Sequence, residues 1–184
     1  MGQIPTIGTH RLILRSFALD DVPGLQRWAG EKELTSTTSD SEIPQPGRED
    51  QWIRLRQDRF ASGESIDFAI VHRKERSVIG AIGLGVEYKK EKEIMQLGFW
   101  IGKPYWNQGY CTEAAEAVLQ YGFDVMGLHR IFSGHFASNP ASGRVLQKIG
   151  MKYEGTLRES YNKLGKFEDV VRYGLLRTDY TGSR

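Results

Sequence analysis

The sequence predicts an α/β fold built on one mixed, mostly antiparallel central sheet flanked by helices, in the order βααβββαβαββ. Three observations carry this. Residues 66–101 hold three apolar segments separated by two charged turns, the pattern of an antiparallel meander. Residues 94–137 then run strand, helix, strand, which adds a crossover and makes the sheet mixed. Residues 152–161 and 167–176 are two more strands joined by the turn Asn162-Lys163-Leu164-Gly165. Where such a sheet changes sense, two adjacent strands splay, and open α/β sheets place ligands in crevices of that kind.

Residues 11–16 (RLILRS) alternate as a first strand. Asp20 and Asp21 precede Val22-Pro23, a helix start with proline near the first turn, and Val22, Leu25 and Trp28 make its inward stripe. Residues 30–50 (GEKELTSTTSDSEIPQPGRED) lose all periodicity. A stretch of that length is either a lid or binding loop, or a disordered surface excursion. Residues 49–61 return to helix, with Trp52, Ile53, Leu55 and Phe60 as apolar contacts. Strands follow at 66–72, 77–86 and 94–101, separated by Arg73-Lys74-Glu75-Arg76 and by a solvated turn holding Lys89, Lys90, Glu91, Lys92 and Glu93. Gly80, Gly83 and Gly85 mark bulges or close backbone approach in the middle strand. Residues 129–137 (HRIFSGHFA) form another strand, and Asn139-Pro140-Ala141-Ser142 opens a helix that stops at Gly150.

The chain is organised around residues 106–126, WNQGYCTEAAEAVLQYGFDVM. Gly109 lets the backbone turn where a side chain would clash, and Thr112 with Glu113 suits a helix start. Ala114, Ala115, Val118, Gly122 and Val125 then recur on one apolar face. Strand, glycine turn, helix aims backbone N–H groups at the space before the helix, and an anion is the natural guest. A diphosphate-binding turn is the expectation, although most such turns in α/β proteins bind nothing.

Composition narrows the function classes. The 184 residues fit one domain with a full-sized core, 39% hydrophobic and 26% charged, as in ordinary soluble proteins. A net charge of +2 without a Lys/Arg run argues against nucleic acid. No apolar run is long enough to span a bilayer, and the N-terminus lacks a secretory signal pattern, so a cytoplasmic protein is expected. The one cysteine, Cys111, excludes an internal disulfide framework and a zinc-thiolate cluster. It is either a nucleophile or, with no His nearby in sequence, a small packing residue in a tight loop.

Motif searches remove several chemistries. There is no G-x-x-x-x-G-K-[ST], no G-x-S-x-G and no H-E-x-x-H. Gly83-Leu84-Gly85 lacks the third glycine and the following helix of a Rossmann turn. His10, His72, His129 and His135 have no ligand-like spacing, and no metal is expected.

The remaining pieces are Thr9-His10-Arg11-Leu12-Ile13-Leu14-Arg15, Leu97-Gly98-Phe99-Trp100-Ile101, Pro104-Tyr105-Trp106-Asn107-Gln108-Gly109-Tyr110-Cys111-Thr112-Glu113-Ala114, Asn139-Pro140-Ala141-Ser142, Lys148-Ile149-Gly150-Met151 with Glu154-Gly155, and Leu157-Arg158-Glu159. In that order they resemble the GNAT acyl-CoA N-acyltransferases, and within them the RimJ/RimL type of ribosomal-protein N-terminal acetyltransferase. The resemblance implies a single domain over residues 1–184 with a core at about 9–180, and acetyl-CoA as cosubstrate. Phe99, Trp100 and Ile101 would form the splayed edge that pairs with the pantetheine arm and polarises the thioester carbonyl. Asn107, Gln108, Gly109, Tyr110, Cys111 and Thr112 would wrap the coenzyme diphosphate, and Asn139 would contact the coenzyme arm.

Trp106 stands where the family usually has Arg or Gln, and Cys111 where it often has Gly or Ala. The Tyr that many members carry seven residues after the Asn is replaced by Leu146; the RimJ/RimL-like branch is proposed to use a Ser three residues after the Asn instead, and the resemblance puts Ser142 there as candidate acid for the leaving thiolate. Its other reading is a helix-start residue. Glu159 matches the candidate general base, acting through water; its other reading is a cross-strand partner of Arg158 or a nearby Lys. The implied reaction is direct acetyl transfer to a primary amine, a protein N-terminal α-amine or a small-molecule amine. The alternative is a catalytically silent acyl-CoA-binding regulator. Dimers are frequent in the family, and the sequence marks no interface.

Overall fold

A computed structural model describes residues 3–28, 31–38, 44–86 and 93–182 of the chain. The strands are β1 Ile7–Gly8, β2 Leu12–Arg15, β3 Ser65–His72, β4 Val78–Val86, β5 Ile94–Ile101, β6 Arg130–Phe136, β7 Lys152–Lys163 and β8 Lys166–Leu176. The helices are α1 Val22–Gln26, α2 Lys32–Thr37, α3 Glu49–Ala61, α4 Tyr110–Gln120 and α5 Pro140–Lys148. One eight-stranded sheet results, in the order β1-β2-β3-β4-β5-β6-β8-β7. Among the described strands only the β5–β6 pair runs parallel.

The two-residue period of the strands builds a core on each face. Phe68 and Ile70 of β3 join Leu12, Ile82, Leu84 and Leu97 under α4 and α5. Their neighbours Ala69 and Val71 face the other way, with Leu25 of α1, Trp28 just after it, Leu34 of α2, and Trp52 and Ile53 of α3. In β5 the alternation sends Leu97 and Ile101 to the first core and Trp100 to the second.

The structure differs from expectation at particular elements. The two-residue β1 was not foreseen, being too short to show a period. Six residues of the aperiodic stretch form α2, anchored by buried Leu34; residues 30 and 39–43 of that stretch lie outside the described residues. So do residues 87–92, the expected solvated turn. Thr112 and Glu113 fall inside the first turn of α4 rather than opening it, and Gly109 is the N-cap at φ 81°. Val125 is 69% exposed although its spacing placed it on the apolar face. The reason is a five-residue π-turn, Tyr121–Val125, whose wider winding rotates Phe123 inward and Val125 outward. Leu55 is 54% exposed because Trp52, Ile53, Arg56 and Phe60 define the inward arc of α3, and Leu55 lies outside it.

Candidate active site

The site begins where β5 and β6 part. They pair only through Ile94, Met95 and Gln96 against Arg130, Ile131 and Phe132, although both continue further. At the fork the buried Ser133 hydroxyl donates to the Leu97 carbonyl at 2.7 Å, replacing the ladder bond that ends there. On the other edge of β5, Gly102 N–H donates to Ile79 on β4 at 2.8 Å. Odd positions of β5 therefore turn their backbone groups away from β4, and Phe99 turns its N–H and C=O into the gap.

Two clefts meet at this gap. The first, about 340 Å³, is walled by Ile101, the 106–112 turn and α5. Asn107 and Gly109 both take left-handed backbone angles, φ 58° and 81°, and wind the turn tightly before α4. Trp106 Nε1–H donates to the Ile101 carbonyl at 2.7 Å, tying the turn to the end of β5. The first helical bond is Glu113 N–H to Gly109 C=O, so the N–H groups of Tyr110, Cys111 and Thr112 precede it.

Arg11 staples this turn from β2's side, donating to the Gln108 carbonyl at 2.8 Å and to Glu113 Oε2 at 2.7 Å. Thr9 Oγ1 and the Arg11 N–H also donate to Glu113 Oε1. Burial pushes the Glu113 carboxyl up, but these hydrogen bonds and the Arg11 charge outweigh it and hold it below the usual carboxylate range. The Cys111 thiol has no such help, and burial pushes it up to about 12. Burial thus favours the neutral thiol over the thiolate, which fits a packing residue better than a nucleophile.

The second cleft, about 490 Å³, opens on the other side of Phe99, between α3, the strand floor and the β7–β8 hairpin. Thr37, Thr38, Phe99, Trp100 and Ser142 line both clefts. The Thr37–Thr38 segment is strapped across the junction. Asn139 Nδ2 donates to the Thr37 carbonyl at 3.2 Å, and Lys163 Nζ donates to the Thr38 carbonyl. Asn139 also caps α5, its Oδ1 accepting from Ser142 N–H at 3.4 Å, while its Nδ2 donates to Ser142 Oγ at 3.0 Å. The cap belongs to Asn139, and Ser142 keeps its own hydroxyl proton free to donate.

The arrangement is an open strand edge between a turn rich in N–H donors and a second, separate cleft. The Acetyltransferase (GNAT) domain family matches residues 11–152. The chain belongs to the GNAT acetyltransferase family. As a GNAT protein it is an N-acetyltransferase. It is 33% identical to the uncharacterized N-acetyltransferase YnaD of Bacillus subtilis over 178 residues, 95% of this chain and 98% of that one. It is 25% identical to the Escherichia coli [ribosomal protein uS5]-alanine N-acetyltransferase over 66% of this chain and 63% of that one. Mycobacterium smegmatis RimJ in complex with CoA-disulfide has the same fold, with a TM-score of 0.86 and 20% identity over 98% of this chain and 91% of that one.

Within this GNAT fold, Phe99, Trp100, Ile101, Asn107, Gly109, Tyr110, Cys111, Thr112 and Asn139 all line the first cleft. Gln108 does not; its side chain donates to Pro104 C=O at 2.7 Å and its own carbonyl is held by Arg11. Glu159 lines neither cleft. It stands exposed on a bulge at φ 47°, its N–H donating to Asp169 Oδ1 at 2.8 Å, while Ser160 and Tyr161 beside it wall the second cleft. Sequence reasoning missed Arg144 and Lys148, which line the first cleft one helical turn apart on α5, and Asp67, Arg56, Arg59 and Arg172 in the second. Charges spaced along a helix or strand look like a solvated face until tertiary packing shows which side is open. No helix among the described residues is long and apolar enough to cross a membrane.

Proposed function

We propose that this chain transfers the acetyl group of acetyl-CoA directly to a primary amine, a protein N-terminal α-amine or a small-molecule amine, in a ternary complex across the β5–β6 fork. The supporting observation is that Phe99 turns its backbone N–H into the gap where the two clefts meet. Acetyl-CoA occupies the first cleft. Its diphosphate lies against the N–H groups of the 107–112 turn at the start of α4, and Arg144 and Lys148 add positive charge. The arm runs along the open edge of β5.

The neutral amine enters from the second cleft and attacks the thioester carbonyl carbon. A C–N bond forms, and the oxyanion is stabilised by the β5 N–H donor at Phe99. As the C–S bond breaks, the electron pair stays on sulfur, and Ser142 Oγ–H relays a proton to it from solvent, so that the hydroxyl is restored in the same step. The ammonium proton passes to Glu159 through water from the bulge beside Ser160 and Tyr161. Positioning across the two clefts supplies most of the rate. A cytoplasmic setting, where acyl-CoA thioesters are held, goes with this reading.

Two measurements test it. Calorimetric titration with acetyl-CoA should show one binding event, and thiol release should appear with a panel of peptides and small amines. Binding without thiol release for any amine would favour the silent regulator, and no binding would sink the reading altogether.

A further inference from the structure

The second cleft has a bare floor and charged walls. Gly83 and Gly85 of β4, Gly98 of β5 and Gly134 of β6 line it without side chains. A Cβ on Gly83 would stand 2.6 Å from Asp67 Oδ1 and 2.7 Å from the Ile66 carbonyl, so the floor cannot thicken there. Among the described residues, the charged ones on its walls are three arginines, Arg56, Arg59 and Arg172, and one carboxylate, Asp67.

The arginines are not equivalent. Arg56 is a fixed part of the wall: its side chain is 10% exposed, its Cζ lies 3.4 Å from the Trp52 ring centroid, and its Nε is 3.9 Å from Asp67 Oδ1. Asp67 Oδ2 in turn accepts from Ser65 Oγ at 2.6 Å, while Oδ1 faces the Arg56 charge. Arg172 packs with Cζ 5.4 Å from the Phe132 ring and lies near Glu154, which Arg130 already holds. Arg59, half-buried on α3, reaches over Gly85, one guanidinium nitrogen 3.4 Å from where a Cβ would be. No carboxylate among the described residues pairs with it.

Register converts this into a distance. Phe99 stands opposite Ile82, and Gly85 is three residues further along β4. At about 3.3 Å per residue, the Arg59 guanidinium lies on the order of 10 Å along the strand from the row where the amine reacts.

We propose that the acceptor is a primary amine carrying an anionic group, carboxylate or phosphate, on the order of 10 Å from the nitrogen. Arg59 binds that group, Arg172 adds to the positive potential of the cleft, and Arg56 keeps Asp67 in place. This rests on the acetyltransferase reading above. The chemistry fits an extended peptide with an acidic second or third residue, or a compact amine ending in a phosphate. It disfavours polyamines, whose second cation would face Arg59.

The test uses matched pairs with saturating acetyl-CoA: the tripeptide amides Ser-Ala-Glu and Ser-Ala-Gln, glucosamine 6-phosphate and glucosamine, and spermidine as the cationic control. The charged member of at least one pair should be preferred by about tenfold or more in kcat/KM, the scale of one charge-assisted hydrogen bond. Which pair shows the preference identifies the source of the anion. Rising salt should shrink the preference in the unmodified protein, and Arg59→Gln should bring it near unity, with KM for acetyl-CoA, which binds in the other cleft, unchanged. Arg59→Lys should restore part of it. Equal use of charged and neutral members, a preference that survives Arg59→Gln, better use of spermidine, or no turnover of either anionic probe would each overturn the proposal. Acetyl-CoA binding with thiol release from spermidine or a neutral probe would then leave the acetyltransferase reading standing, whereas loss of both would remove it too.

Discussion

Ser133 Oγ donates to the Leu97 carbonyl at 2.7 Å at the point where β5 and β6 separate. One buried hydroxyl thus ends a parallel ladder, and Phe99, the next position whose backbone turns away from β4, is left facing open space. Ser133→Ala removes the donor and leaves a buried carbonyl unpaired. It should cost about 1–3 kcal/mol, several degrees in Tm, and raise KM for acetyl-CoA. Calorimetric melting and steady-state kinetics check both; an unchanged Tm would show that the fork closes without this bond.

Glu113 ties the 106–112 turn to Arg11 and Thr9, and its carboxyl is held below the usual range. A folded-state value below the unfolded one adds stability that is present above the ordinary Glu range and is lost as pH falls through the lowered folded value. Glu113→Gln should therefore be less stable than the unmodified protein at neutral pH, and the difference should close on acidification. Tm measured from pH 7 down to about pH 3 tests the sign. The variant should also bind acetyl-CoA more weakly, since the turn loses its staple.

Ser142→Ala should lower kcat by about tenfold to a hundredfold or more with little change in Tm, because Asn139 rather than Ser142 caps α5. Asn139→Ala should show the converse on stability, about 1 kcal/mol from the lost cap. If Ser142→Ala turns over normally while Asn139→Ala does not, the role of the pair is structural.

Glu159→Gln should lower kcat/KM without unfolding the protein, since Glu159 is exposed on its bulge. Its activity should be compared with that of Asp67→Asn, the carboxylate that does line the second cleft. Full activity of Glu159→Gln from acidic to alkaline pH, with a loss in Asp67→Asn, would move the base to Asp67.

Cys111→Ala should retain kcat and KM within about twofold, and the native thiol should react slowly with alkylating reagents at pH 8, because burial holds it near 12. Rapid alkylation, or loss of turnover in the alanine variant, would contradict its place as a packing residue.

Local chemistry was legible wherever pattern and geometry share one cause. The strands at 66–72, 77–86 and 94–101 showed themselves by apolar runs between charged turns, and Gly109, Asn139 and Gly150 by backbone needs that few other residues meet. Elements too short to display a period, β1 and α2, were not visible. Nor was the π-turn that rotates Val125 outward, since it changes the winding and not the composition.

The sequence by itself determined the order of elements, the turn before α4 and the family resemblance, because propensities, turn chemistry and short-range hydrogen bonds act between near neighbours. Only the tertiary structure decided where β5 leaves β6 and that Lys163 meets Thr38 across the fold. It likewise brought Arg59, Arg172 and Asp67 to one cleft while leaving Glu159 outside it. Those relations join residues far apart in the chain. They exist only once the sheet has set its register and the two cores have fixed which face of each helix turns inward.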